Sequence, residues 1–245
     1  MSGMAVIQEH GKFNGHTLRD VTISDGDVSL SILSYGATTR DWRVPLNGQR
    51  VPVVLGFEDP ARYVRIGTYF GAIAGRVSNR IGGAQYSLDG QTHQLAPNEG
   101  ANQLHGGPLG LSNVFWQIEP DGPSAVRLFY VSPAGENGFP GCARVTVDIR
   151  LDGACVIYDM RAEVDCVTPI SLAQHNYNNL GGGGPIWDHQ MRCQADRVLE
   201  MDEQGIMTGE ISPVDGTGFD FRKMRSFAEA DPTRLGIDHN LVFET

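Results

Sequence analysis

Apolar and polar residues alternate strictly in the middle of the chain. Val145, Val147, Ile149 and Leu151 alternate with Arg144, Thr146, Asp148 and Arg150. After Asp152-Gly153 a second set, Val156, Tyr158, Met160, Ala162 and Val164, continues on the same period. Successive side chains of a strand point to opposite faces, so period two predicts antiparallel strands with one buried and one wet face. The Asp-Gly step between them suits a tight hairpin turn, because both residues tolerate positive φ. The same grammar recurs at Asn47-Gly48, between VSLSILSYGATTRDWRVPL and QRVPVVLGF, and at Asp89-Gly90, between AQYSL and QTHQL. Residues 61–70 and 222–230 alone look helical, and both stretches are short. No repeat, low-complexity tract or linker interrupts the pattern. The expectation is an all-β fold, a large antiparallel sheet-on-sheet β-sandwich forming one domain over residues 1–245.

One stretch departs from the alternation. Residues 168–184 read TPISLAQHNYNNLGGGG, a strand-like run that delivers His175 among amide side chains and a tyrosine and ends in four glycines. A core strand would not crowd hydrogen-bonding groups around an imidazole, since each buried polar group needs a partner. His175 therefore reads as the centre of a polar, ligand-facing site. Three other Gly-rich polar segments lie between predicted strands: GRVSNRIGG at 75–83, NEGANQLHGG at 98–107 and GIDHN at 236–240. Loops of this kind on a β scaffold commonly carry binding and catalysis.

Composition narrows the partners. A net charge of -10 over 245 residues argues against nucleic acid or an anionic membrane surface. No basic stretch followed by an apolar run opens the sequence, and no apolar run is long enough to span a bilayer. Cys142, Cys155, Cys166 and Cys193 are far apart and form no C-x-x-C pair, which suits reduced thiols in a cytoplasmic protein better than a disulfide framework or a zinc site.

The ordered set GRVSNRI, NEGANQLHGG, PISLAQHNYNNLGG, TGEISPVDGTGFDFR and GIDHNLV resembles the aldose 1-epimerase (galactose mutarotase) family from about residue 10 to the end of the chain. The resemblance implies the galactose mutarotase-like β-sandwich. It also implies interconversion of the α and β anomers of free aldoses such as galactose and glucose, without metal or cofactor. The reaction needs one acid at the ring oxygen and one base at the C1 hydroxyl. By similarity His175 is the acid and His105 the catalytic group that holds the ring oxygen or a neighbouring hydroxyl. Asn79 and Arg80 donate to sugar hydroxyls, with Arg76 a competitor for the role of Arg80, and Asp238 accepts from two hydroxyls. The implied partner is a monosaccharide; the sequence does not specify an oligomeric state.

Two departures from the family pattern stand out. Asn178 occupies a position that is usually aromatic. Family members carry their general base, a glutamate, on a later strand, whereas this chain ends at Glu244-Thr245, and Glu244 is a poor substitute. The expectation is a sandwich lacking its last strands, with an exposed edge open to another chain. Two rivals follow from other classes. A sugar-binding protein without catalysis would share the pocket, and a metal site could be assembled from His105, His175, His239 and Asp238.

Overall fold

A computed structural model of the chain describes residues 4–67 and 69–243, so Glu244 lies outside the described residues. The contacts gather into two compact units, Met1–Gly182 and Gly183–Thr245.

The first unit opens with an antiparallel meander, β1 (Ile7–Phe13), β2 (His16–Asp25), β3 (Val28–Leu33), β4 (Thr38–Leu46) and β5 (Gln49–Pro52), paired in chain order. Helix α1 (Ala61–Ile66) follows and ends where Gly67 turns left-handed at φ 65°. Next come β6 (Ile73–Ala74), β7 (Arg80–Ile81), the hairpin β8 (Gln85–Leu88) and β9 (Gln91–Gln94), and β10 (Gln103–Leu104). A second meander contains β11 (Gln117–Pro120), β12 (Ala125–Ser132), β13 (Ala143–Asp152) and β14 (Cys155–Val164), and β15 (Ala173–Gln174) follows it.

The two meanders share one core. Val21, Ile23, Leu30 and Ile32 from the first sheet meet Val126, Leu128, Val145, Val147 and Ile149 from the second, none more than 1% exposed. Burying each such side chain contributes roughly 1.5–3 kcal/mol, which makes the shared apolar face the main force holding the layers together. Strand β3 is buried along its whole length. Its other face places Leu33 in a smaller cluster with Leu18 and Tyr63, the latter supplied by α1. The helix covers that cluster through Tyr63.

The turns follow the predicted chemistry with one shift. Leu46 pairs with Gln49 and Leu88 with Gln91, which leaves Asn47-Gly48 and Asp89-Gly90 as two-residue loops with positive φ at both positions. In the third hairpin Asp152 is still in the strand, paired with Cys155. The loop is Gly153-Ala154, and Gly153 alone has positive φ, at 56°.

Strand β13 alternates as expected, buried at Ala143, Val145, Val147, Ile149 and Leu151. Strand β14 does so only weakly. Val156, Tyr158, Met160 and Ala162 are half-buried and Val164 is 43% exposed. The reason is position: β14 is the last strand of its sheet, and an edge strand receives cover from fewer neighbours.

The second unit pairs β16 (Gln190–Met191) with β19 (Arg225–Ser226) and arranges β17 (Arg197–Met201), β18 (Met207–Pro213) and β20 (Leu241–Val242) in the order β18-β17-β20. Helix α2 (Phe227–Ala230) begins with a capping box between Ser226 and Glu229, so the predicted helix at 222–230 is reduced to one turn.

Candidate active site

His175 is placed by backbone pairing. Ala173 and Gln174 of β15 pair with Ala74 and Ile73 of β6. One residue further, the His175 N–H donates to Ala72 O at 2.9 Å and the Gly71 N–H donates to His175 O at 2.8 Å. The amides beside it are partnered. Gln174 Nε2 donates to Gly71 O at 3.1 Å and to Asn176 Oδ1 at 2.6 Å, and its Oε1 accepts from the Asn176 N–H at 2.7 Å. These side chains therefore serve as struts that set the direction of the histidine. Asn178 bridges to Val54, while the flanking Tyr177 O and Asn179 N–H bond to Leu55 and Val53.

His105 arrives from the other direction. Leu104 of β10 pairs with Arg80 of β7, and the next step is a reciprocal contact. The His105 N–H donates to Asn79 O at 3.0 Å, and the Asn79 N–H donates to His105 Nδ1 at 3.0 Å. Both residues are left-handed, Asn79 at φ 64° and His105 at φ 51°, a conformation that surrounding structure must hold in place. Gly106 explains part of that hold. A Cβ there would stand 1.8 Å from Gly75 O, so only glycine lets the His105 loop lie against the 75–76 backbone.

An acceptor at Nδ1 leaves the ring proton on Nε2 in the neutral imidazole. Burial, with the charges of His175 and Arg80, lowers the His105 pKa to about 4. His105 is thus an uncharged N–H donor at neutral pH.

The two rings meet edge to face, with centroids 5.0 Å apart at 90°. Tyr69 completes the cluster, 4.6 Å from the His105 ring and 6.0 Å from the His175 ring, and Tyr177 stacks on His175 at 5.3 Å. Burial raises the Tyr69 pKa, reinforced by the charge of Glu99, so its hydroxyl stays protonated. The pattern of the sequence did not single out Tyr69. It follows the left-handed Gly67 in an irregular segment, and long-range pairing of 71–72 with His175 brings it to the histidines.

Arg80 and Arg76 separate cleanly. The Arg80 guanidinium is held side-on by Glu99, Nε to Oε2 at 2.5 Å and Nη2 to Oε1 at 2.9 Å, and its charge reaches His105. Arg76 is 2% exposed. Its Nε donates to Ser132 Oγ, and its Nη atoms donate to the carbonyls of Ser132, Pro133, Pro140 and Gly141 at 2.9–3.0 Å. These five bonds tie Arg76 into the 132–141 segment as a brace, so Arg76, weighed as a sugar-binding alternative to Arg80, has its donors committed elsewhere. Asp238 stands in the second unit, exposed, two residues after Gly236 at φ 101°. Its neighbour His239 lies against Phe219, with ring centroids 4.3 Å apart. Among the described residues no three His, Cys, Asp or Glu side chains converge as a metal-binding group.

A β-sandwich of antiparallel meanders, with a histidine pair raised on Gly-rich loops at its short strand pairs, has the galactose mutarotase-like fold. An aldose epimerase homologue of C. elegans superposes with a TM-score of 0.87 at 29% identity, over 92% of this chain and 71% of that one. The galactose mutarotase of Sus scrofa is 40% identical over 235 residues, 93% of this chain and 68% of its own. The aldose 1-epimerase of Escherichia coli K12 is 35% identical over 241 residues, 94% of this chain and 70% of its own. The aldose 1-epimerase family model matches residues 19–245, and the chain belongs to that family.

Proposed function

We propose that the protein is an aldose 1-epimerase that interconverts the α and β anomers of a free aldose such as galactose or glucose by opening and reclosing the sugar ring. The observation that carries this reading is the edge-to-face pair of His105 and His175, in which the tautomer of one ring is fixed by the backbone of Asn79. His175 serves as the acid that gives its proton to the ring oxygen. His105, neutral and protonated at Nε2, donates a hydrogen bond to the same oxygen or to the adjoining hydroxyl without competing for the proton. As the C1–O5 bond breaks, a general base takes the C1 hydroxyl proton and the aldehyde forms; rotation about C1–C2 and the reverse proton transfers close the other anomer.

Arg80 and Asn79 donate to sugar hydroxyls. Glu99 is tied to both edges of the Arg80 fork, which makes it the anchor of that arginine rather than the base. The chemistry needs no metal or organic cofactor. The family match crosses both compact units, which supports reading 1–245 as one mutarotase-like domain. The acidic net charge argues against nucleic acid or an anionic membrane as partner, and the separated cysteines favour the cytoplasm. No helix among the described residues is long and apolar enough to cross a membrane.

Polarimetry on freshly dissolved α-galactose tests the proposal, with sugar binding measured on the same sample. With no general base assigned among the described residues, residues 1–245 alone are expected to show little catalysis; a chain extended by the family's glutamate-bearing strand is expected to bring the rotation to equilibrium faster than the spontaneous reaction, and His175→Ala in it to abolish the acceleration while leaving the fold intact. Saturable binding without acceleration in that extended chain would replace the enzyme with a sugar-binding protein.

A further inference from the structure

The connection between β12 and β13 is longer than a hairpin needs. It runs from Pro133 to Cys142, where about two to five residues suffice. Two consecutive residues in it, Glu136 and Asn137, reach opposite sides of one seam. The seam is the contact of the His105 loop with the 75–76 backbone, where a Cβ on Gly106 would stand 1.8 Å from Gly75 O.

Glu136 acts on the 75–76 side. Its Oε1 accepts from Tyr130 Oη at 2.8 Å, and its Oε2 accepts from Ser132 Oγ. The same Ser132 hydroxyl accepts from Arg76 Nε at 2.9 Å, so one hydroxyl separates the carboxylate from the guanidinium. The other four acceptors of Arg76 are carbonyls, which carry no net charge. Burial lowers the Arg76 pKa, and the charge of Glu136 is the leading influence against it. A buried guanidinium deprived of its countercharge is costly, so its surroundings shift or admit water to relieve it. Asn137 acts on the other side. Its carbonyl accepts from the Ala96 N–H at 2.9 Å and from Gln103 Nε2 at 3.3 Å, and its Oδ1 accepts from the Leu109 N–H at 3.1 Å. Those partners lie before and after His105 in the chain, so the turn holds the His105 loop from both ends. A hairpin that required only its own order would have no use for bonds to both sides of the seam.

We propose that Glu136 is a positioning residue for the His105 imidazole. Through Ser132 and Arg76 it fixes the 75–76 backbone as a rest for the His105 loop, while Asn137 fixes that loop from the far side. The bond that depends on this clamp is the one from the Asn79 N–H to His105 Nδ1, since Asn79 continues the 75–76 segment and His105 precedes Gly106. The role of His105 in the proposed mutarotase site gives the clamp its purpose, and the proposal rests on that reading.

Nuclear magnetic resonance of the histidine rings in the 245-residue chain tests the proposal. His105→Asn assigns the signal, and far-UV circular dichroism confirms that each variant is folded. Wild-type His105 is expected to carry its proton on Nε2 and to titrate at about pH 4. Glu136→Gln keeps the shape of the carboxylate and removes its charge. It should raise the proton affinity of His105 about tenfold, toward that of a free imidazole, and let the Nδ1–H tautomer appear. The direction is diagnostic. His105 is faced by His175, Arg80, Glu99 and Tyr69, all unchanged in the variant. Loss of a negative charge acting through space would lower the proton affinity, so a rise reports a loosened loop. Ser132→Ala, which deletes the bridging hydroxyl, should give the same rise and decides the matter should Glu136→Gln fail to fold. Leu128→Ala weakens the shared core instead of the clamp and should leave tautomer and titration as in wild type. An unchanged or lowered proton affinity in the folded variants overturns the proposal. So does an equal rise in Leu128→Ala, or a wild-type ring that titrates at about 6.5 like an exposed one. Turnover plays no part in these measurements. A chain without mutarotase activity would therefore remove the enzyme and leave the clamp, and an unshifted His105 would remove the clamp and leave the enzyme.

Discussion

Asn79 and His105 hold each other by two backbone-anchored hydrogen bonds, Asn79 N–H to His105 Nδ1 and His105 N–H to Asn79 O, both at 3.0 Å. The first fixes a tautomer and the second fixes the loop that carries the ring.

The pH dependence of stability follows from this pair. The folded-state pKa of His105 is lowered to about 4, below the unfolded value of about 6.5. As pH falls through 6.5 the unfolded chain takes up a proton that the folded chain refuses until about pH 4. Stability therefore declines with falling pH across that window and levels off below it, by on the order of 3 kcal/mol from this group. Urea unfolding of wild type and His105→Asn from pH 4 to pH 7 isolates the contribution, since the variant lacks the titrating ring. A difference between the two that is constant with pH would contradict a buried neutral imidazole.

Substitution of Arg76 and Arg80 should have opposite consequences. Arg76→Ala leaves four carbonyls, that of Ser132 buried and those of Pro133, Pro140 and Gly141 partly so, without their donor and is expected to cost about 3 kcal/mol. Arg80→Lys keeps the charge but loses the fork that Glu99 grips, so sugar affinity should fall about tenfold with little change in melting temperature. Thermal unfolding and KM for galactose, measured on both variants, separate a brace from a ligand-binding arginine.

These two arginines mark the limit of what the sequence makes legible. They stand four apart in GRVSNRI, with nothing local to say which is tied into the fold; only the carbonyls of the distant 132–141 segment show that Arg76 is the brace. The hairpins were legible because their information is local: period two in β13 and the small residues at each turn suffice. Strand β14 carries the same period, yet its cover depends on what lies beyond the sheet edge, which no alternation reveals. Tyr69 was hidden for a related reason, since no periodicity marks a residue that long-range pairing carries to its place.

Tyr69 is expected to matter through its ring more than its hydroxyl. Centroid distances of 4.6 and 6.0 Å to the two histidines make it a wall for both. Tyr69→Phe keeps that wall and should retain activity within about threefold, whereas Tyr69→Ala lets water and alternative rotamers in and should lower kcat/KM about a hundredfold. Equal losses in the two variants would assign the hydroxyl a direct part in the reaction.

Two glycines in the NEGANQLHGG segment make a controlled comparison. Gly100 and Gly106 both have positive φ, 60° and 87°, but a Cβ meets nothing within 4 Å at Gly100 and stands 1.8 Å from Gly75 O at Gly106. Gly100→Ala therefore bears only the left-handed backbone cost, about 1–2 kcal/mol. Gly106→Ala adds a collision with a main-chain oxygen that no rotamer relieves, so the loop must move and take the His105 ring with it. The expected result is a loss of stability of about 3 kcal/mol or more. With the His105 loop displaced, mutarotase turnover should fall by more than a hundredfold, as misplacing a catalytic group by about an ångström does. Denaturant unfolding and polarimetry on both variants provide the check. Full activity in Gly106→Ala would mean that His105 does not need its place against the 75–76 backbone, and its assignment to the site would fall.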